Sequence, residues 1–115
     1  MGQTVDNFKR GTAEMLVLYL LSKEDLYGYQ ITQAFAEKSD GVYTMLEGSL
    51  YPILYRLTEA GYITDYTKQV GKRRTRRYYH LEDTGRAYYK EILADYDSVT
   101  DSINKILDRI GDDSI

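Results

Sequence analysis

The stretch GSLYPILYRLTEAGYI, residues Gly48–Ile63, combines an apolar stripe with polar and aromatic side chains on its other faces. Its four aliphatic residues recur at helical spacing and predict a helix that is buried along one side. These four residues are Leu50, Ile53, Leu54 and Leu57. Tyr51, Tyr55 and Arg56 fall away from the stripe. A helix that only filled a core would not need them, so the exposed side is a candidate binding face.

Both ends of this helix are predicted from local chemistry. Pro52 has no N–H and is tolerated only where that donor would be unpaired, so we expect Ser49 to be the N-cap. Gly61, after Ala60, is the expected left-handed residue that ends the helix.

Two further helices are predicted upstream of this stretch. GTAEMLVLYLLSKE has a predicted N-cap at Thr12 and is apolar on nearly every side, which is typical of a central helix. LYGYQITQAFAEKSDG has a narrower stripe of Ile31, Ala34 and Phe35 and a polar end.

Downstream, YITDYTKQVGKRRTRRYYHL is rich in strand-forming residues and has Gly71-Lys72 at its middle, which predicts an antiparallel hairpin. Residues 1–65 carry five bases and nine acids, residues 66–81 six bases and no acid, and residues 82–115 four bases and nine acids. The net charge of −3 therefore hides a hairpin that is strongly cationic. Its bases are Lys68, Lys72, Arg73, Arg74, Arg76 and Arg77.

The segment from Glu82 to about Ile110 predicts one long helix. Its apolar residues alternate steps of three and four, which is a coiled-coil pattern, and a helix this long leaves apolar surface beyond its own domain. A second copy of the chain is the simplest partner, and packing along the same domain is the alternative. The predicted interface comprises Leu16, Leu20, Tyr89, Ile92, Tyr96, Val99, Ile103, Ile106 and Ile110.

This order of elements predicts a mainly α fold with a two-stranded β-hairpin: a winged helix-turn-helix at residues 1–81 and a C-terminal dimerisation helix at residues 82–115, in one compact unit. In that geometry the third helix enters the major groove of double-stranded DNA and the hairpin lies on the phosphate backbone or in the minor groove. The predicted DNA-binding residues are Ser49, Tyr51, Pro52, Tyr55, Arg56, Lys72, Arg73, Arg74 and Arg76.

Three motifs, EMLVLYLLSKEDLYGYQI, EGSLYPILYRLTEAGYI and GKRRTRRYYHLEDTGRAYY, resemble the successive signatures of PadR-type transcriptional regulators with a single long C-terminal helix. The resemblance runs from about Phe8 to Tyr89. It implies a homodimeric repressor whose C-terminal helix packs against the partner's N-terminal and C-terminal helices. In some relatives a small aromatic or cationic drug-like molecule binds between the subunits, which points to Tyr96 as an effector contact.

Composition argues against other classes of protein. The chain has no cysteine and one histidine, so we expect no disulfide, no metal and no cofactor. No leader or membrane-spanning run is evident, and we expect a cytoplasmic protein. The acids of the last helix have no paired histidine or nucleophile, so we expect no enzyme. RNA binding and a winged-helix protein-interaction module that does not bind DNA remain as alternatives.

Overall fold

The computed structural model describes residues 2–109, with side chains from residue 6 onward. Its order of elements matches the predicted winged helix-turn-helix with a long C-terminal helix. The elements are α1 (Gly2–Lys9), α2 (Ala13–Lys23), β1 (Leu26–Tyr27), α3 (Gly28–Lys38), α4 (Glu47–Glu59), β2 (Ile63–Gln69), β3 (Thr75–Leu81) and α5 (Asp83–Ile106).

The predicted hairpin is confirmed, but the sheet has a third strand. β2 and β3 pair antiparallel, from Ile63 opposite Leu81 to Gln69 opposite Thr75. β1 pairs with the other edge of β3, with Tyr27 opposite Tyr78, so the strand order is β1-β3-β2. The two-stranded prediction was incomplete because a strand of two residues leaves no periodic signal in the sequence.

α2 is the central helix, as its apolar sequence predicted. It contacts α3, α5 and β3, and Val17 and Leu18 are fully buried. The apolar stripe of α4 meets it in the same core. Leu20, which we predicted at a dimer interface, is only 6% exposed and packs mainly in this core. The largest fully buried side chains are Leu18, Ile31, Leu50, Leu54, Leu57, Ile63 and Val17.

The prediction that Ser49 caps α4 is wrong. The N-cap is Leu46, and Ser49 lies in the first turn with its N–H donated to the Leu46 carbonyl at 3.0 Å. Pro52 is inside the helix. At that position its ring removes the hydrogen bond that would reach the carbonyl of Gly48. Leu46 has no side-chain cap bond, so local capping chemistry did not mark this boundary.

The predicted end of α4 is confirmed. Gly61 has a φ of +81°, and its N–H donates to the Thr58 carbonyl at 3.0 Å. The N–H of Tyr62 donates to the Leu57 carbonyl, also at 3.0 Å. These two bonds satisfy carbonyls that the helix end would leave unpaired, and they turn the chain directly into β2.

α1 was not predicted, and it joins α2 at the expected Thr12. Thr12 occupies the N-cap position of α2 but makes no side-chain cap bond. Its hydroxyl donates instead to the Lys9 carbonyl at 2.6 Å and lies 2.7 Å from the Tyr43 hydroxyl. Thr12 therefore ties α1 to the loop between α3 and α4.

α5 is 24 residues long, shorter at its C-terminal end than predicted. Its first turns lie against the domain, where Gly85 is buried beside the backbone of Tyr62. A Cβ at Gly85 would overlap the Tyr62 carbonyl oxygen. The glycine therefore permits a close approach of two backbones. Ile110 of the predicted interface lies outside the described residues.

Candidate nucleic-acid interface

α4 buries its aliphatic side chains and exposes its tyrosines, as the sequence predicted. Its four aliphatic residues are buried, whereas Tyr51 is 47% exposed and Tyr55 is 68% exposed. Ser49 and Pro52 are also exposed. The outer side of the helix therefore presents hydroxyls, aromatic rings and a proline to solvent.

A cleft of about 970 Å³ separates this face of α4 from the hairpin and the start of α3. Its walls are mostly polar and aromatic side chains, and it opens to solvent. The lining residues are Tyr27, Gly28, Tyr29, Glu47, Tyr51, Leu54, Tyr55, Thr58, Asp65, Thr75, Arg76, Arg77 and Tyr79.

Tyr51 lines this cleft and is held there by contacts with α3 and α4. Its hydroxyl donates to the Glu47 Oε1 at 3.1 Å. The same hydroxyl lies over Gly28, where a Cβ would come within 2.8 Å of it. Burial, followed by the hydrogen bond to Glu47, raises the pKa of Tyr51. Tyr51 therefore remains a neutral hydrogen-bonding group, in contact with α3.

Two arginines at the cleft are already engaged within the protein. Arg77 Nη1 lies 3.2 Å from Asp65 Oδ2 in an ion pair across the hairpin. The Arg76 guanidinium lies 4.6 Å from the centre of the Tyr27 ring, a cation–π contact. Both groups line the wall of the cleft but have intramolecular partners.

The cationic side chains at the tip of the hairpin differ from these two arginines in their contacts. Val70 N–H donates to the Arg74 carbonyl at 2.7 Å, which closes the loop, and Gly71 has a φ of +82°. Lys72, Arg73 and Arg74 are exposed on this loop. None of these three side chains forms an ion pair with another described residue, so all three charges face solvent.

The outer face of the sheet contains a network that the sequence did not indicate. Asp25 accepts a hydrogen bond from the Tyr66 hydroxyl at 2.7 Å, and its second oxygen lies 2.8 Å from His80 Nδ1. Burial acts to raise the pKa of Asp25, but these hydrogen bonds outweigh it and the pKa is lowered. His80, the single histidine of the chain, therefore helps to tie β2 and β3 to the turn before β1.

Some residues of the predicted dimer interface pack against the core of the single chain, and others are exposed on α5. Tyr89 and Ile92 pack against the core, and so does Leu16 of α2, which is half-buried. Val99 is 58% exposed and Ile106 is 83% exposed, and both lie far along the same helix. We call the exposed residues Tyr96, Val99, Ile103 and Ile106 the α5 stripe.

An apolar groove of about 240 Å³ lies between α2, α3 and the loop that follows α3. Its lining residues are Leu16, Tyr19, Leu20, Ala34, Phe35, Lys38, Ser39 and Tyr43. In residues 2–109 no helix is long and apolar enough to span a bilayer. The same part of the chain has no cluster of three or more His, Asp or Glu that could hold a metal ion.

Comparison with known proteins shows the family. The negative transcriptional regulator PadR of Bacillus subtilis is 30% identical over 87 residues, which are 76% of this chain and 48% of that one. The chain thus spans about half of that relative. A PadR family regulator from Eggerthella lenta superposes with a TM-score of 0.82 at 29% identity, over 92% of this chain and 90% of that one.

A second solved structure, Bacillus subtilis PadR in complex with operator DNA, superposes with a TM-score of 0.65 at 32% identity, over 70% of this chain and 45% of that one. The sequence model of the PadR-like family matches residues 17–91, which is more than half of the chain. The chain therefore belongs to the PadR-like family of transcriptional regulators.

Proposed function

We propose that this chain binds duplex DNA as a homodimer and represses transcription. The observation that carries the proposal is the cleft in which the exposed tyrosines of α4 face a cationic hairpin. The structural similarity to Bacillus subtilis PadR, which was solved with operator DNA, supports DNA binding. That relative is named a negative transcriptional regulator, which supports repression.

α4 is the element that reads base edges in this proposal. A helix fits the major groove of B-DNA, and the hydroxyl of Tyr55, exposed on the outer side of α4, can donate to base or phosphate oxygens. Ser49, in the first turn, places its hydroxyl and backbone close to the positive end of the helix, where a phosphate is favoured.

The tip of the hairpin supplies the electrostatic attraction to the DNA phosphates in this proposal. Lys72, Arg73 and Arg74 have no competing carboxylate among the described residues, so each can pair with a phosphate and release a counterion. Arg76 and Arg77 are held along the wall of the cleft. They contribute positive potential there and must exchange partners before they bind a phosphate directly.

The α5 stripe forms the centre of the proposed dimer. Four apolar side chains on one exposed face are costly in water, and a second copy of the helix covers them at the 3.5-residue period of a coiled coil. The apolar groove at α2 and α3 offers a further surface for the partner's α5. In this proposal residues 1–81 bind DNA, and residues 82–115 hold the two copies together.

Dimerisation sets the spacing of the two α4 helices. A symmetric pair matches a pseudo-palindromic operator when the helices are roughly 34–36 Å apart, one turn of DNA. An aromatic or cationic small molecule that binds near Tyr96, between the subunits, would release DNA if it favoured a different spacing. Tyr96 is 43% exposed in the single chain and is free to line such a site.

The alternative function is a protein-interaction module that keeps the winged fold and does not bind DNA. The dependence of DNA affinity on ionic strength distinguishes these two functions. A chain that neutralises several phosphates loses DNA affinity steeply as salt rises, with a slope near −0.9 per phosphate in a plot of log affinity against log salt. Absence of binding to any duplex at low salt would favour the interaction module.

Replacing Tyr55 by alanine tests whether α4 contacts the base edges of DNA. Repeated selection from a random library should yield one enriched duplex, and Tyr55→Ala should bind that duplex roughly tenfold more weakly while its affinity for random duplex changes less. Fluorescence anisotropy measures both affinities. Thermal unfolding of Tyr55→Ala is the control for folding, and it should be unchanged because Tyr55 is 68% exposed. An affinity for the enriched duplex equal to that of the unmodified chain would remove Tyr55 from the interface.

Replacing Arg74 by alanine tests the hairpin tip. Loss of one phosphate contact should weaken enriched and random duplexes alike by about eightfold at 0.1 M salt, and should reduce the salt slope by about 0.9. Titrations at several salt concentrations measure the slope. Arg86→Ala, which removes the same charge from an exposed site on α5, should leave the slope unchanged. A slope that is the same in Arg74→Ala and the unmodified chain would contradict the role of the tip.

A further inference from the structure

Glu14, in the first turn of α2, is contacted by side chains of two other helices. Its Oε1 accepts a hydrogen bond of 2.8 Å from the Tyr88 hydroxyl of α5. Its Oε2 lies 3.8 Å from Nη2 of Arg56 on α4. One carboxylate therefore links the proposed dimerisation helix to the proposed DNA-reading helix.

The α5 side of this link is tightly held. The Tyr88 ring stacks on the Tyr62 ring with centroids 4.2 Å apart and planes 11° apart. Tyr62 in turn closes the C-terminal end of α4. The hydrogen bond to Glu14, together with burial, raises the pKa of Tyr88 to about 12, so the hydroxyl remains a donor at neutral pH. Glu14 is therefore oriented by α5.

The α4 side of the link is loose. The separation of 3.8 Å is long for an ion pair, and the Arg56 side chain is 60% exposed whereas that of Glu14 is 26% exposed. Exposed pairs of this kind are weak and are screened by salt. A DNA phosphate presents a competing anion to the same guanidinium, which also pairs well with phosphate geometry.

We propose that Glu14 is a positioning residue that competes with DNA for Arg56, and that α5 controls this competition through Tyr88. The inference rests on the proposed function. It makes DNA affinity depend on the position of the long helix: when Tyr88 holds Glu14, the carboxylate restrains Arg56, and when α5 moves away the restraint weakens.

Glu14→Gln tests the competition. The amide oxygen can still accept the Tyr88 hydrogen bond, but the negative charge opposite Arg56 is lost. Affinity for the enriched duplex should rise by up to about eightfold at 0.1 M salt, and the salt slope should steepen by about 0.9, equivalent to one further phosphate contact. In an Arg56→Ala background, Glu14→Gln should have no such effect.

Tyr88→Phe tests the link to α5. The ring can still stack on Tyr62, but Glu14 loses its donor and becomes mobile, so it restrains Arg56 less well. We expect affinity to rise about twofold to threefold, in the same direction as for Glu14→Gln but less, since the carboxylate charge remains. Tyr88→Phe should have no further effect when Glu14→Gln is already present.

The control for net charge is Glu37→Gln. Glu37 is exposed on α3 and forms no ion pair in the described part of the chain, so its replacement removes a charge of the same sign away from Arg56. Its affinity should stay within twofold of the unmodified chain. An equal gain in Glu37→Gln, or a Glu14→Gln gain that persists without Arg56, would overturn the inference while leaving DNA binding intact. Failure of the unmodified chain to bind any duplex would overturn the proposed function itself.

Discussion

Gly85→Ala is expected to lower the free energy of unfolding by about 3 kcal/mol, near the upper end of what overpacking costs in cores. A Cβ at this position would overlap the Tyr62 carbonyl oxygen and would lie 2.7 Å from Leu81 Cδ1. The carbonyl is not free to move away, because it accepts the N–H of Glu82 at 3.0 Å. Either α5 shifts off the domain or the start of β2 distorts.

Gly48→Ala is the matched control for that experiment. Gly48 is also a helical glycine, but a Cβ there would meet nothing within 4 Å. Alanine is favoured over glycine within helices by up to about 1 kcal/mol, so this variant should be slightly more stable. Urea denaturation measures both variants. Similar midpoints for the two would show that the contact between Gly85 and Tyr62 does not constrain the fold.

Ile103→Asp is expected to dissociate the proposed dimer. Ile103 lies in the middle of the α5 stripe and is 48% exposed in the single chain. In a symmetric dimer each copy loses a buried aliphatic side chain and gains a charge without a partner, which costs at least about 3 kcal/mol in total and raises the dissociation constant more than about 100-fold. Sedimentation velocity at micromolar concentration measures the change.

Ser102→Asp controls for the added charge. Ser102 is the neighbouring residue, is exposed, and donates its hydroxyl to the Ser98 carbonyl at 2.9 Å. It lies off the α5 stripe, so this variant should remain as dimeric as the unmodified chain. If Ile103→Asp also remained dimeric, the interface would have to lie on another surface, and the role proposed for α5 would be wrong.

The predictions that the structure confirms rest on contacts between near neighbours in sequence. The buried and exposed faces of α4 follow from the 3.6-residue period, and the end of α4 follows from the conformational freedom of Gly61. The hairpin follows from strand-forming residues on either side of Gly71. These features require no knowledge of distant parts of the chain.

The features that the sequence analysis missed depend on contacts between residues far apart in the chain. β1 exists because Tyr27 pairs with Tyr78, and Gly85 is needed because Tyr62 approaches it. The misplaced start of α4 has a local cause instead, because proline is accommodated inside this helix and not only in its first turn. Packing that the sequence pattern does not display therefore explains the first two features but not the third.

The sequence alone determined the fold class, the cationic hairpin and the apolar period of α5, because these arise from local periodicity and charge. Only the tertiary structure decided which cations have a partner: it paired Arg77 with Asp65 and gave the tip of the hairpin no carboxylate partner among residues 2–109. It also brought Glu14 between α4 and α5. Pairing of charges depends on distances set by the whole fold, which no short stretch of sequence specifies.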